Sequence, residues 1–201
     1  MIKHTLGILA VATALVTTSF TSSRETDATV YKVDAAKSTV KWTGKKVTGE
    51  HTGAIKISSG SLTVEKNTIK SGSFDIDLTT ITNTDITDAG TNAKLIGHLK
   101  ADDFFSVAKY PKATFVITSV TLKSGDLYTI AGNLTIKGIT NPLTFPATIK
   151  TDASKVTATA TILVDRTKYD IKFRSASFFS DLGDKAIDND FALDINLIAN
   201  K

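Results

Sequence analysis

His51 and His98, the adjacent Asp102 and Asp103, and Arg166 are the side chains of this sequence best equipped for chemistry. A zinc site takes at least three protein ligands. The sequence has no cysteine, so the two histidines would have to recruit Asp102 or Asp103. An acid–base pair must converge on one reacting atom, and neighbouring residues of an extended or turning chain point apart. No Gly-x-Ser-x-Gly elbow is present, and no serine stands near a His-Asp pair. The expectation is no catalytic residue, no metal and no cofactor. Each histidine should hydrogen-bond locally at a strand or helix end, and one of the two aspartates should cap a turn. Arg166 falls in register with Ile162 and Val164. An unpaired buried charge is costly, so Arg166 is expected either to pair with Asp165 or Asp170 or to meet a headgroup at a cavity mouth.

His98 opens the stretch HLKADDFFSVAKYPKATF, which gathers Phe104, Phe105, Tyr110 and Phe115 in a chain only 7% aromatic. The residues before it, 92–99, read as a short helix with Leu95, Ile96 and Leu99 on one side, weakened by Gly97. Pro111 holds Tyr110 extended and sets up the following strand. Helix and aromatics together read as a lid over one end of a barrel, with Phe104 and Phe105 pointing inward.

From Val30 onward the chain alternates apolar with polar residues, the period of a sheet with one dry face. Trp42 follows Val40 on one face. Phe74, Ile76 and Leu78 oppose Asp75, Asp77 and Thr79. Phe115 with Ile117, and Tyr128, Ile130, Leu134 and Ile136, continue the pattern. So do Leu143 with Phe145, the run Val156, Ala158, Ala160, Ile162 and Val164, and the run Phe191, Leu193, Ile195 and Leu197. Turns are expected at Lys66-Asn67, Ser124-Gly125-Asp126 and Asn141-Pro142. So many antiparallel strands leave edges unless the sheet closes, which predicts an all-β antiparallel barrel of about eight strands. Ala158, Ala160 and Gly132 leave volume between bulky neighbours. Periodicity alone does not separate a ligand cavity from a filled core.

Residues 1–23 read as a cleaved signal peptide: Lys3, an apolar run from Leu6 to Val16, then small and hydroxylated residues. The run is shorter than the roughly 20 residues that span a bilayer, and no later segment approaches that length. Residues 24–201 then form one domain, exported to a periplasm or secreted. The absence of cysteine excludes a lipid-modified N-terminus as well as disulfides. A net charge of +4, spread evenly and without aromatic interleaving, does not suit nucleic acid. A homodimer is left open.

The stretches WTGKKVTGEHTGAIKISSGSL (42–62), GHLKADDFFSVAKYPKATF (97–115), YTIAGNLTIKGITNPLTFPATI (128–149) and VDRTKYDI (164–171), with the closing FALDINLIA, resemble the YceI-like family. His51 matches that family's Gly-x-His-x-Gly stretch. The resemblance implies an extended, lipocalin-like barrel that holds a long lipid, polyisoprenoid or fatty-acyl in type, and it implies no enzymatic activity. On that reading the lipid lies against Trp42, Phe74, Ile76, Leu78, Phe115, Ile117, Tyr128, Ile130, Leu134, Ile136, Ala158, Ala160, Ile162, Leu193 and Ile195. Phe104 and Phe105 close the cavity and Arg166 stands at its mouth. The other reading is a stress-related interaction protein with a filled barrel and no ligand.

Overall fold

Alternating burial along each run turns the apolar faces inward, and in the computed structural model, which describes residues 28–201, the sheet closes on itself. The strands are β1 (Thr29–Val33), β2 (Thr39–Lys46), β3 (Gly49–Glu65), β4 (Thr68–Asn83), β5 (Lys112–Ser124), β6 (Leu127–Ile136), β7 (Ile139–Thr151), β8 (Lys155–Asp165) and β9 (Ile187–Asn200), with helix α1 (Ala89–Lys100) between β4 and β5. Every pairing is antiparallel, and β3–β4 and β2–β9 complete the ring. Strands β1 and β2 share one ring position. β2 pairs with the first half of β3 and with β9 as far as Asn196, while β1 pairs with Ser61–Val64 of β3 and with Ala199 and Asn200 of β9. The wall is thus the expected eight-stranded antiparallel barrel, with one position built in two lengths. The sequence segment read as a signal peptide lies outside the described residues.

Strands β3 and β4 run 17 and 16 residues. Their ladder shifts register at Ala54/Lys56, Ile57/Ser59 and Thr63/Val64, and such bulges bend a long strand around a barrel. One end of the barrel is packed shut: Tyr31, Leu62, Val64, Val156 and Ala199 are buried there, and the Tyr31 hydroxyl donates to the Asp152 carbonyl at 3.0 Å.

The other end carries α1. It begins earlier than the spacing of its leucines predicts, at Ala89 rather than 92, because Asp88 caps it. The Asp88 carboxylate accepts from the Thr91 backbone N–H at 2.8 Å and the Thr91 hydroxyl at 2.7 Å, satisfying groups an uncapped helix leaves orphaned.

The turn expected at Asn141-Pro142 is absent. The chain reverses instead at Lys137 and Gly138, both with positive φ (51° and 75°), and Pro142 lies inside β7 opposite Asn133 of β6. Pro146 lies in the same strand opposite Thr129. A strand tolerates proline only where the missing N–H faces away from a bonded neighbour, and β7 is bonded to β8 only from Thr148 to Thr151.

Candidate ligand cavity

The inward faces enclose a cavity of about 190 Å³ whose exposed wall is entirely apolar. Each strand from β2 to β9 contributes. Trp42 comes from β2, Phe74, Ile76 and Leu78 from β4, and Phe115 and Ile117 from β5. Ile130, Leu134 and Ile136 come from β6, Ala158, Ala160 and Ile162 from β8, and Leu193 and Ile195 from β9. Alternation works here because a strand's side chains switch faces at every residue, so one inward residue indexes the rest.

Three of the expected ligand contacts are not on this wall. Tyr128 points inward among core residues near the packed end but does not reach the cavity. Phe104 and Phe105 part company. Phe105 lines the cavity and meets Phe191 edge-on at 6.2 Å, whereas Phe104 is 8% exposed and is stacked among His98, Phe173 and Phe105 behind it. The aromatic cap is therefore two layers deep, with a single ring facing the cavity.

Arg166 is the third. It is 3% exposed but sits past the end of β8, in a 3-10 turn over Arg166–Tyr169. It takes neither expected carboxylate. Its Nε donates to the Asp188 carbonyl at 2.9 Å, Nη1 to Ile171 at 2.8 Å and Nη2 to Ile187 at 2.9 Å. Burial pulls its pKa down, opposed by the charges of Asp165 and Asp188. The planar fork of donors matches three fixed carbonyls, so Arg166 ties the start of β9 and the loop at Ile171 to the end of β8.

The wall also contains residues that strand patterning did not assign to a site. Ile55 and Ile57 of β3 and Leu143 and Phe145 of β7 are among them. Ile55-Lys56-Ile57 carries the period-2 signal, but the run is only three residues long between Ala54 and Ser58-Ser59. Gly132 leaves no open volume: a Cβ there would stand 2.4 Å from the Phe115 ring, so the ring already fills that space, against Phe145 at 5.6 Å.

The groups with chemical potential lie outside the cavity. His51 Nδ1 is 2.8 Å from Asp85 Oδ2, and His98 Nε2 is 2.9 Å from Asp103 Oδ2. Asp102 accepts from the Ser106 hydroxyl at 2.5 Å and caps the turn after α1. Burial alone would raise the Asp85 pKa. Hydrogen bonds from His51, the Thr52 N–H and Asn83, with the charge of His51, outweigh it and hold the carboxyl at about 2. Among the described residues no three His, Cys, Asp or Glu side chains come together as a metal site, and no buried side-chain polar atom lacks a partner.

Comparison with known proteins places this architecture. Proteins named YceI from Salmonella arizonae and Salmonella newport are 52% identical over 50 residues, a stretch that covers 25% of this chain and only about a quarter (26%) of theirs. The crystal structure of Burkholderia cenocepacia BcnA superposes with a TM-score of 0.67 at 24% identity, covering 83% of this chain and 99% of that one. A polyisoprenoid binding domain from Saccharophagus degradans superposes at 0.60 and 16% identity, covering 85% and 97%. At these identities the solved structures speak for the fold. The family model described as the YceI-like domain matches residues 31–199, and the chain belongs to the YceI-like family.

Proposed function

We propose that this protein binds one long apolar chain, of the polyisoprenoid or fatty-acyl class, inside its barrel, and acts as a periplasmic or secreted carrier rather than an enzyme. The observation that carries this reading is the apolar wall of the cavity. A ligand with polar groups along its length would lose hydration there without compensation, while each methylene taken out of water contributes about 0.8 kcal/mol. The space of about 190 Å³ exceeds the ~150 Å³ hole that holds benzene, and its lining draws on every strand from β2 to β9. The likeness to a polyisoprenoid binding domain and the apolar run from Leu6 to Val16 support the ligand class and the export. Among the described residues the cavity is lined by apolar side chains and one threonine, Thr159.

Native mass spectrometry of the purified protein tests the reading. The expected result is a copurified lipid mass, lost in Ala158→Trp and Ala160→Trp variants that retain β-type circular dichroism. An apo mass alone, together with no uptake of cis-parinaric acid, would sink it.

A further inference from the structure

Rungs join β7 to β8 at only four positions, Thr148–Thr151 against Val156–Thr159. Beyond Thr148 the two strands part, although β7 stays bonded to β6 back to Ile139 and β8 stays bonded to β9 out to Asp165. The parting is written into the sequence. Pro142 and Pro146, two of the chain's three prolines, have the same parity, so their missing donors fall on the same edge of the strand. Because β6 is paired throughout, that edge is the one toward β8. Of the three residues 142, 144 and 146 that present their N–H to β8, only Thr144 has one, so a regular ladder beyond Thr148 would lack two of its three donors. At its far end the gap is spanned by side-chain bonds, from Asn141 Nδ2 to the Lys168 carbonyl at 2.9 Å and from Lys137 Nζ to the Asp170 carbonyl at 3.3 Å.

Just past the last rung, the apolar cavity and a groove on the outer surface share Ala147 and Ala160, together with Thr159 of that rung and Ile195 of β9 beside them. Only one thickness of chain separates interior from solvent there. Leu163, on the β8 side, is 63% exposed, an apolar side chain beside a groove whose edge includes threonines, Lys41, Asp194 and Asn196. The helix end contrasts with this. Phe105 is backed by Phe104, which is backed by Phe173 and His98, and Lys137 Nζ pins the intervening loop through the Asp102 carbonyl at 3.2 Å and the Asp170 carbonyl at 3.3 Å.

We propose that the apolar ligand enters and leaves sideways, through the window between β7 and β8, and that the aromatic cap at the helix end stays shut. This rests on the reading of the cavity as the ligand site. Lateral entry suits a chain-like molecule, which can thread between strands with its backbone-bonded neighbours undisturbed.

The chain lacks cysteine, so paired cysteines can be introduced without background. Extending the β7–β8 register past Thr148 and Thr159 sets Thr144 opposite Leu163, both outward-facing. Thr144→Cys with Leu163→Cys, joined after folding by a reducible bifunctional maleimide, locks the window. Asp102→Cys with Lys137→Cys, joined alike, locks the cap. Release of cis-parinaric acid to acceptor vesicles is followed by stopped flow before and after reduction, with circular dichroism confirming the fold. The window lock should slow release at least tenfold, reversibly, and the cap lock should change it less than twofold. Slow release with the cap locked and unchanged release with the window locked would overturn the proposal while leaving the cavity reading intact. If the unlinked parent takes up no cis-parinaric acid, the cavity reading fails and the window falls with it.

Discussion

The indole N–H of Trp42 on β2 reaches across the neighbouring strand to donate to the Thr82 carbonyl on β4 at 2.9 Å. It can do so because the residue beneath it on β3 is Gly53. A Cβ at that position would stand 1.8 Å from the Thr82 oxygen and 2.6 Å from the indole nitrogen. Three adjacent strands are therefore stitched by one side chain that also forms part of the cavity wall.

Gly53→Ala should cost about 2 to 4 kcal/mol, combining overpacking with a lost buried hydrogen bond. The obstruction includes backbone, so rotamer changes do not relieve it. Trp42 is the only tryptophan, so its emission should shift to the red in the folded variant. Urea melts read by fluorescence check both; unchanged stability would mean that the strands separate at no cost.

The two cap phenylalanines should behave differently despite being neighbours. Phe104→Ala removes a buried ring with no cavity contact and should destabilise by about 3 to 5 kcal/mol while leaving the folded fraction's affinity for cis-parinaric acid within twofold. Phe105→Ala should cost less stability and weaken binding more, since its ring is wall. Equal effects of the two on affinity would count against the two-layer arrangement.

Acid should probe Asp85. Its folded pKa of about 2 lies below the ~3.9 of an unfolded aspartate. It therefore contributes stability that is full above pH ~4 and is lost as pH falls through about 2. Asp85→Asn should lower the melting temperature at pH 6 and give a shallower decline between pH 4 and 2. The slope that persists belongs to other depressed carboxylates such as Asp75, held down by Lys112. Parallel melting curves for parent and variant would show that the His51–Asp85 contact contributes nothing.

Arg166→Ala should leave the carbonyls of Asp188, Ile171 and Ile187 without donors and cost at least about 3 kcal/mol. Arg166→Lys keeps the charge but has no planar fork and should recover only part of the loss. Lipid affinity of the folded fraction should not move in either, because the guanidinium does not touch the cavity. A selective loss of binding would return Arg166 to the role of a headgroup contact.

Much of the barrel is legible as period two. Ala158, Ala160, Ile162 and Leu193 reach the wall as read, since a closed sheet has only an inside and an outside. What escapes such reading is the relation between strands. Asn141-Pro142 carries a turn signature, yet whether proline breaks a strand or sits on its free edge depends on a neighbour, β8, some twenty residues later. Arg166 illustrates the same limit. Strand register predicts that it points inward, but its acceptors are backbone carbonyls, which no residue type announces. Phe104 and Phe105 look equivalent in sequence, and only the packing of Phe173, brought from a distant loop, decides which ring meets the cavity.

The final strand, β9, is bonded to β8 and also to both segments, β1 and β2, that share the opposite ring position. The first residues of the barrel are thus stitched to the last. No hoop can form until β9 is in place, and until then the greasy interior of the other seven ring positions lies open along a seam. Closure between segments so far apart in sequence is slow, so the folding chain spends its most aggregation-prone interval waiting for its last strand.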